Sequence, residues 1–191
     1  MRKVALVMMV ALLFYTLAFS AVVFEDSRLE STIRDILGKA AGETIAPEEM
    51  AMIARVDVGR INSLVGLEYC INLTVLKSNS GNISSLEPLR GMKRLEELWL
   101  MYNRVSDLEP LSGCVALQKM ILTQNRILDI SPLRNLKNLQ SLDIDENFFL
   151  IENLSALLDL PKLKTLEIQK TAHNDPETIR ILIERGVRVT Q

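Results

Sequence analysis

The chain has 191 residues, with 22 basic against 24 acidic side chains and a net charge of −2, which excludes a protein that holds bare nucleic acid by charge alone. Two cysteines and one histidine leave no room for a disulfide framework or a Cys/His metal cage. Eight glycines and six prolines are too few for a linker or a collagen-like chain.

Arg2 and Lys3 precede an uncharged apolar run over residues 4–19, which closes on Ala18-Phe19-Ser20. A basic start, an apolar stretch and small residues at the end predict a secretory signal peptide over 1–20, cut after Ser20 or Ala21. The other reading is an uncleaved anchor reaching Phe24, because residues 4–24 are 21 mostly apolar residues, enough to span a bilayer. Cleavage removes two basic groups and no acidic one, leaving 20 against 24 and a mildly acidic exported chain.

Residues 21–50 read as a helical cap. Ser27-x-x-Glu30 has the pattern of a capping box, and Leu29, Ile33, Ile36 and Leu37 follow on one helical face. Gly38 ends that helix. Pro47-Glu48-Glu49 opens a second short one, with its negative charges at the positive end.

Beyond the cap the chain repeats. Leu73, Leu95, Leu117 and Leu139 are 22 residues apart, and Leu163 follows after 24. One block reads Leu95-Glu-Glu-Leu98-Trp-Leu100-Met-Tyr-Asn103-Arg-Val105. The next reads Leu117-Gln-Lys-Met120-Ile-Leu122-Thr-Gln-Asn125-Arg-Ile127, and the third Leu139-Gln-Ser-Leu142-Asp-Ile144-Asp-Glu-Asn147-Phe-Phe149. The tails agree too: Asp107-Leu108-Glu-Pro110-Leu111 and Asp129-Ile130-Ser-Pro132-Leu133. This is the leucine-rich repeat pattern. Alternating apolar residues make a short strand with one buried face, and the later leucines point into the same core from the return segment. No block can bury its apolar face alone, so the blocks stack. The inward Asn satisfies backbone groups that the bend would otherwise bury unpaired.

The predicted fold class is therefore an α/β solenoid: a curved right-handed coil of leucine-rich repeats with a parallel concave sheet. It has a helical N-terminal cap and a helix-strand C-terminal cap. Repeats occupy 51–172, beginning with a half-repeat at Ala54-x-Val56, and the closing cap occupies 173–191. Gly81 and Thr171 stand where Asn is expected, in the atypical end blocks. Two extra residues near 150–153 predict a bulge on the convex side. In the closing cap, Asp175-Pro176-Glu177 starts a helix that buries Ile179, Leu182 and Ile183; Gly186 stops it, and Val187-Arg-Val189 is a last strand.

Residues 24–73 resemble the N-terminal cap of bacterial extracellular leucine-rich repeat proteins of the internalin-like class. The resemblance is carried by Leu29-Glu30, Ile33-Arg34, Gly38-Lys39, Gly42-Glu43-Thr44-Ile45 and Leu67-Glu68-Tyr69-x-x-Asn72-Leu73. The repeats are similar to the 22-residue internalin type through their Asp-(Leu/Ile)-x-Pro-Leu tails. The resemblance implies a curved binding surface on an exported bacterial protein, secreted, periplasmic or at the cell surface. It carries over no ligand.

Residues between the inward positions face the concave side. Trp99, Met101, Tyr102 and Ile121 form an apolar cluster on two neighbouring rungs, where the repeat requires none of them. Exposed aromatic and Met groups are common anchors of protein interfaces. Glu97 and Lys119 flank the cluster. Asp143, Asp145, Glu146 and Glu167 form an acidic region, which suits orienting charge for a basic partner better than a Ca²⁺ site, which wants a wrapping loop. The expected partner-binding residues are Trp99, Tyr102, Met101, Ile121, Glu97, Lys119, Asp143 and Asp145. A protein ligand is expected, with glycan as the other open class. The alternative is a self-associating envelope scaffold.

No catalytic residue, cofactor or metal is predicted. His173 has no nucleophile placed beside it by the register, and its expected role is a turn at the entry to the closing cap. A monomer is expected, touching a membrane only through an uncleaved N-terminal segment. Cys70 and Cys114 share one core position two rungs apart, roughly 10 Å at strand spacing and beyond disulfide reach. They are predicted to be buried free thiols.

Overall fold

The structure, a computed structural model, describes residues 21–147, 151, 153–169 and 175–191. The predicted signal peptide, Thr171, His173 and half of the predicted bulge at 150–153 lie outside the described residues.

Three-residue strands alternate with return segments from one end to the other. Helices α1 (Ser27–Leu37) and α2 (Pro47–Met50) precede strands β1 (Arg55–Asp57), β2 (Val75–Lys77), β3 (Glu97–Trp99), β4 (Lys119–Ile121), β5 (Ser141–Asp143) and β6 (Thr165–Glu167). Helix α3 (Pro176–Glu184) and strand β7 (Arg188–Thr190) close the chain. Among the described residues all seven strands pair in parallel, in chain order, as one sheet. The register advances one repeat per strand, so Leu76, Leu98, Met120, Leu142 and Leu166 form one inward row. All five are fully buried. This is the leucine-rich repeat solenoid that the 22-residue period predicts.

The return segments carry short 3₁₀ turns, among them Glu87–Leu89, Glu109–Leu111 and Ser131–Asn135. The tail Asp has a local job there. Asp107 Oδ1 accepts the Glu109 N–H at 2.8 Å, and Asp129 Oδ1 accepts the Ser131 N–H at 2.7 Å. Each carboxylate thus holds the first free amide of its turn. Asn153 does the same for Ser155 at 2.8 Å. With Ile151 fully buried, the register after the two-residue insertion is regained by residue 151.

The Asn ladder is built as expected. Asn125 Nδ2 donates to the carbonyls of Leu100 (2.8 Å) and Leu122 (2.9 Å), while its Oδ1 accepts the Val105 N–H at 3.0 Å. Asn103 and Asn147 repeat the arrangement, accepting from Ile83 and Ile127 at 3.0 Å each. Gly81 breaks the ladder for a steric reason. A Cβ on Gly81 would stand 1.9 Å from the Ile61 carbonyl oxygen. The first rung is pulled in against the second at this point, and buried Ser78 donates through Oγ to the Gly59 carbonyl at 2.9 Å.

The opening cap corrects the expected capping box. Asp26, not Ser27, caps α1: its Oδ1 accepts from Arg28 N (2.9 Å) and Leu29 N (3.3 Å). A carboxylate has a second oxygen to offer, and Asp26 Oδ2 accepts the Asn62 N–H at 2.8 Å, tying the cap to the first rung. Helix α1 buries Leu29 and Ile33, half-buries Leu37 and leaves Ile36 exposed, so its core face is narrower than expected. Glu49 accepts the Ala46 N–H at the start of α2 and pairs with Lys39 at 2.9 Å; both hold its carboxyl below the usual range. Phe24 packs flat against Gly66, where a Cβ would meet the ring at 2.5 Å and where φ is +104°, so only glycine fits.

In the closing cap Asp175 caps α3, accepting the Thr178 N–H at 3.0 Å and, through its other oxygen, the Leu154 N–H at 3.0 Å. Ile179 and Leu182 are buried as expected, but Ile183 is exposed, because only one side of α3 meets the last rung. Cys70 and Cys114 are buried and unpaired. Burial pushes the Cys70 thiol up to about 12 and the Cys114 thiol up to about 11.

Candidate functional site

The outer face of the sheet is an array fixed by register. One row runs Asp57, Lys77, Trp99, Ile121, Asp143, Glu167, Thr190, one residue per strand. The row beside it runs Arg55, Val75, Glu97, Lys119, Ser141, Thr165, Arg188. Two strand-end positions follow in each block, among them Met101 and Tyr102, Thr123 and Gln124, Asp145 and Glu146.

Trp99 and Ile121 are register partners, as the apolar-cluster expectation requires. Trp99 is not bare, however. Lys77 Nζ from β2 and Lys119 Nζ from β4 each lie 4.3 Å from its ring centroid. The ring's electron-rich face attracts the ammonium groups. Trp99 Nε1 donates to Glu97 Oε2 at 3.1 Å. The sole tryptophan is therefore half-buried and locked by three side chains. Glu97 and Lys119 sit opposite each other in register, yet Glu97 is engaged by the indole. Neither Lys77 nor Lys119 makes an ion pair among the described residues. Lys77 lies outside the residues that the sequence assigns to the site, although its distance of 22 residues from Trp99, one full repeat, places it beside the ring.

Met101 is half-buried, and its N–H donates to Asn79 Oδ1 at 3.0 Å. Tyr102 is 45% exposed and stands at φ +57°. Ser80, Gln124 and Glu146 hold the same left-handed conformation in their rungs, so the repeat demands it there. Tyr102 is the bulkiest residue to meet that demand, at a cost that glycine would avoid and asparagine would reduce. Val75 is buried between its longer register neighbours Arg55 and Glu97, and so is unavailable on the surface.

On the next two rungs the charge reverses. Asp143 Oδ1 accepts the Asp145 N–H at 3.0 Å, and Asp145 Oδ1 accepts the Glu146 N–H at 2.8 Å. One oxygen of each Asp is held by backbone, which fixes the carboxylate's direction. Glu167 is exposed beside Asp143. Among the described residues no group of three or more His, Cys, Asp or Glu lies close enough to hold a metal ion. A shallow depression lies at the strand starts, lined by Glu96, Glu97, Gln118, Lys119, Gln140 and Ser141.

No protein-family model and no curated protein matches the chain. Solved structures do. An internalin of Listeria monocytogenes (inlF) matches with a TM-score of 0.69 and 23% identity, over 87% of this chain and 56% of its own. Internalin C2 of the same organism matches with a TM-score of 0.60 and 25% identity, over 89% of this chain and 88% of its own. A leucine-rich repeat protein of Leptospira interrogans matches with a TM-score of 0.68 and 19% identity, over 75% and 38%. This chain thus spans little more than half the length of the first of these and less than half of the third. The fold is an internalin-like leucine-rich repeat solenoid.

Proposed function

We propose that this internalin-like chain is an exported, non-catalytic binding protein that holds another protein on its concave sheet. Trp99, Tyr102, Met101 and Ile121 form the contact surface. Glu97, Lys119, Asp143 and Asp145 orient the partner. The observation that carries this reading is the Lys77–Trp99–Lys119 stack. The solenoid core needs none of these side chains, and together they present a preorganised aromatic and cationic surface. The depression at the strand starts is open rather than enclosed, and an open surface suits a macromolecule better than turnover of a small substrate.

Export with cleavage after Ser20 or Ala21 is supported by the cap. Val22 is buried and donates its N–H to the Ile45 carbonyl at 2.9 Å, and Phe24 packs on Gly66. Residues committed to the cap are not available to lengthen a membrane anchor to Phe24.

The test is affinity capture from native envelope and culture medium, with residues 21–191 as bait, beside Trp99→Ser shown to be equally folded. A species held by the parent and lost by the variant supports the reading. Identical captures, or none, overturn it. A second copy of the chain as the captured species would select the self-associating scaffold instead.

A further inference from the structure

The row Lys77, Trp99, Ile121, Asp143, Glu167 is ordered by charge: cationic at β2, with Lys119 adding a second ammonium at the Trp99 ring, apolar at β4, anionic at β5 and β6. Two carboxylates border the cationic end, Asp57 beside Lys77 and Glu97 opposite Lys119, but Glu97 is engaged by the Trp99 indole and neither pairs with a lysine among the described residues. Lys77, Lys119, Asp143, Asp145 and Glu167 take part in no ion pair among the described residues. Ile121 keeps the two signs apart, since it lies between Trp99 and Asp143 in register. Elsewhere the same chain pairs its charges readily, as in Arg34–Glu30 at 2.8 Å and Arg90–Glu87 at 2.7 Å. From β2 to β6 the floor of the sheet is thus a fixed dipole lying across the strands.

We infer that the ligand of this face is an extended protein segment with its charge segregated: acidic residues at one end, an apolar residue in the middle, basic residues at the other. This rests on the reading of the concave sheet as the binding surface and specifies its partner. The acidic end sits at Lys77 and Lys119, the apolar residue on Ile121, and the basic end on Asp143 and Glu167. Dimensions agree. Trp99 to Asp143 is two rungs and Trp99 to Glu167 three, roughly 10 and 14 Å at strand spacing. An extended chain advances about 3.3 Å per residue, so about three to four residues separate the two charged ends. A uniformly anionic glycan would meet repulsion at Asp143 and Glu167, and a neutral one would leave the dipole unanswered. A segregated peptide answers both ends. The lysines arrive preordered by the indole and the aspartates by backbone amides, so little side-chain freedom is lost on binding.

Trp99 is the only tryptophan, and it sits under the lysines, so its fluorescence reads the site directly. Three capped peptides serve as probes for residues 21–191 at low salt. They are Glu-Glu-Ser-Leu-Ser-Arg-Arg, its mixed isomer Glu-Arg-Ser-Leu-Ser-Arg-Glu, and the uniformly acidic Glu-Glu-Ser-Leu-Ser-Glu-Glu. The expected result is that the segregated peptide shifts Trp99 emission at a concentration about tenfold or more below either of the others, the preference collapsing at about 0.5 M salt. In Asp143→Lys/Glu167→Lys, shown by circular dichroism to be folded, the preference passes to the uniformly acidic peptide. Equal responses to the segregated and mixed peptides, no response up to about millimolar concentration, or a stronger response to a heparin hexasaccharide or maltohexaose would overturn the inference. Any of these beside a partner captured through Trp99 would leave the concave-face reading standing and remove only the segregated ligand.

Discussion

Asp26 and Asn62 are joined across the boundary between cap and repeats: the Asn62 N–H donates to Asp26 Oδ2 at 2.8 Å while Asp26 Oδ1 holds the first turn of α1. One buried carboxylate does two jobs, so removing it strips the cap from α1 and detaches α1 from the first rung. Asp26→Ala is expected to destabilise the chain by about 2–3 kcal/mol, counting a lost helix cap and an unsatisfied amide. Ser27→Ala should cost under about 0.5 kcal/mol, as at an ordinary surface site. Urea unfolding of both variants checks the pair, and equal losses would return the cap to Ser27.

Restoring the repeat pattern at Gly81 should harm the fold. Gly81→Asn would place a Cβ against the Ile61 carbonyl, so a loss of about 2 kcal/mol or more is expected from overpacking. Asn125→Ala should also destabilise, by about 2–4 kcal/mol, because the Leu100 and Leu122 carbonyls and the Val105 amide lose their partner together. Thermal unfolding that finds Gly81→Asn stabilising would mean that Gly81 is a chance gap in the ladder.

The thiols give a pH signature. In the fold Cys70 is pushed up to about 12 and Cys114 up to about 11 by burial, against an ordinary 9.0. A raised acid pKa means that the unfolded chain loses the thiol proton first. The stability each neutral thiol confers is therefore complete below pH 9.0 and is lost as pH rises toward the folded values. Native chain at pH 8 should react with a maleimide orders of magnitude more slowly than chain in urea, with two thiols titrated on unfolding. Fast labelling of either cysteine in the native chain would contradict its burial.

Tyr102 should trade stability against binding. Its φ of +57° is tolerated better by asparagine, so Tyr102→Asn is expected to leave stability unchanged or raise it by up to about 1 kcal/mol. The same change should weaken partner binding. A variant that is less stable and binds normally would remove Tyr102 from the contact surface.

The sequence carried the period, the strand rows, the Asn ladder and both caps, because each rests on residue types repeated at fixed spacing. It failed where two candidates compete for one local role. Asp26 and Ser27 both suit a cap, and only the position of Asn62 decides between them. Ile36 and Ile183 fit the helical period, but the period does not say how much of a helix the first or last rung covers. Gly81 reads as a missing Asn, since a backbone approach from Ile61 leaves no mark in the sequence. At the candidate site the residues were legible and their pairing was not. Trp99 was expected as an open apolar anchor and stands instead between two lysines, because cross-strand contacts follow from side-chain reach as well as register.

Binding of the partner at the sheet face is the decisive point. It is tested by measuring the captured partner's affinity for three forms of residues 21–191: the parent, Trp99→Ser, and Leu128→Ser, the last an exposed leucine (52%) on a return segment. Trp99→Ser is expected to weaken binding by about tenfold or more, as for a hot-spot aromatic, and Leu128→Ser to leave it unchanged. Loss through Leu128→Ser with Trp99→Ser binding like the parent would contradict it and move the site off the sheet.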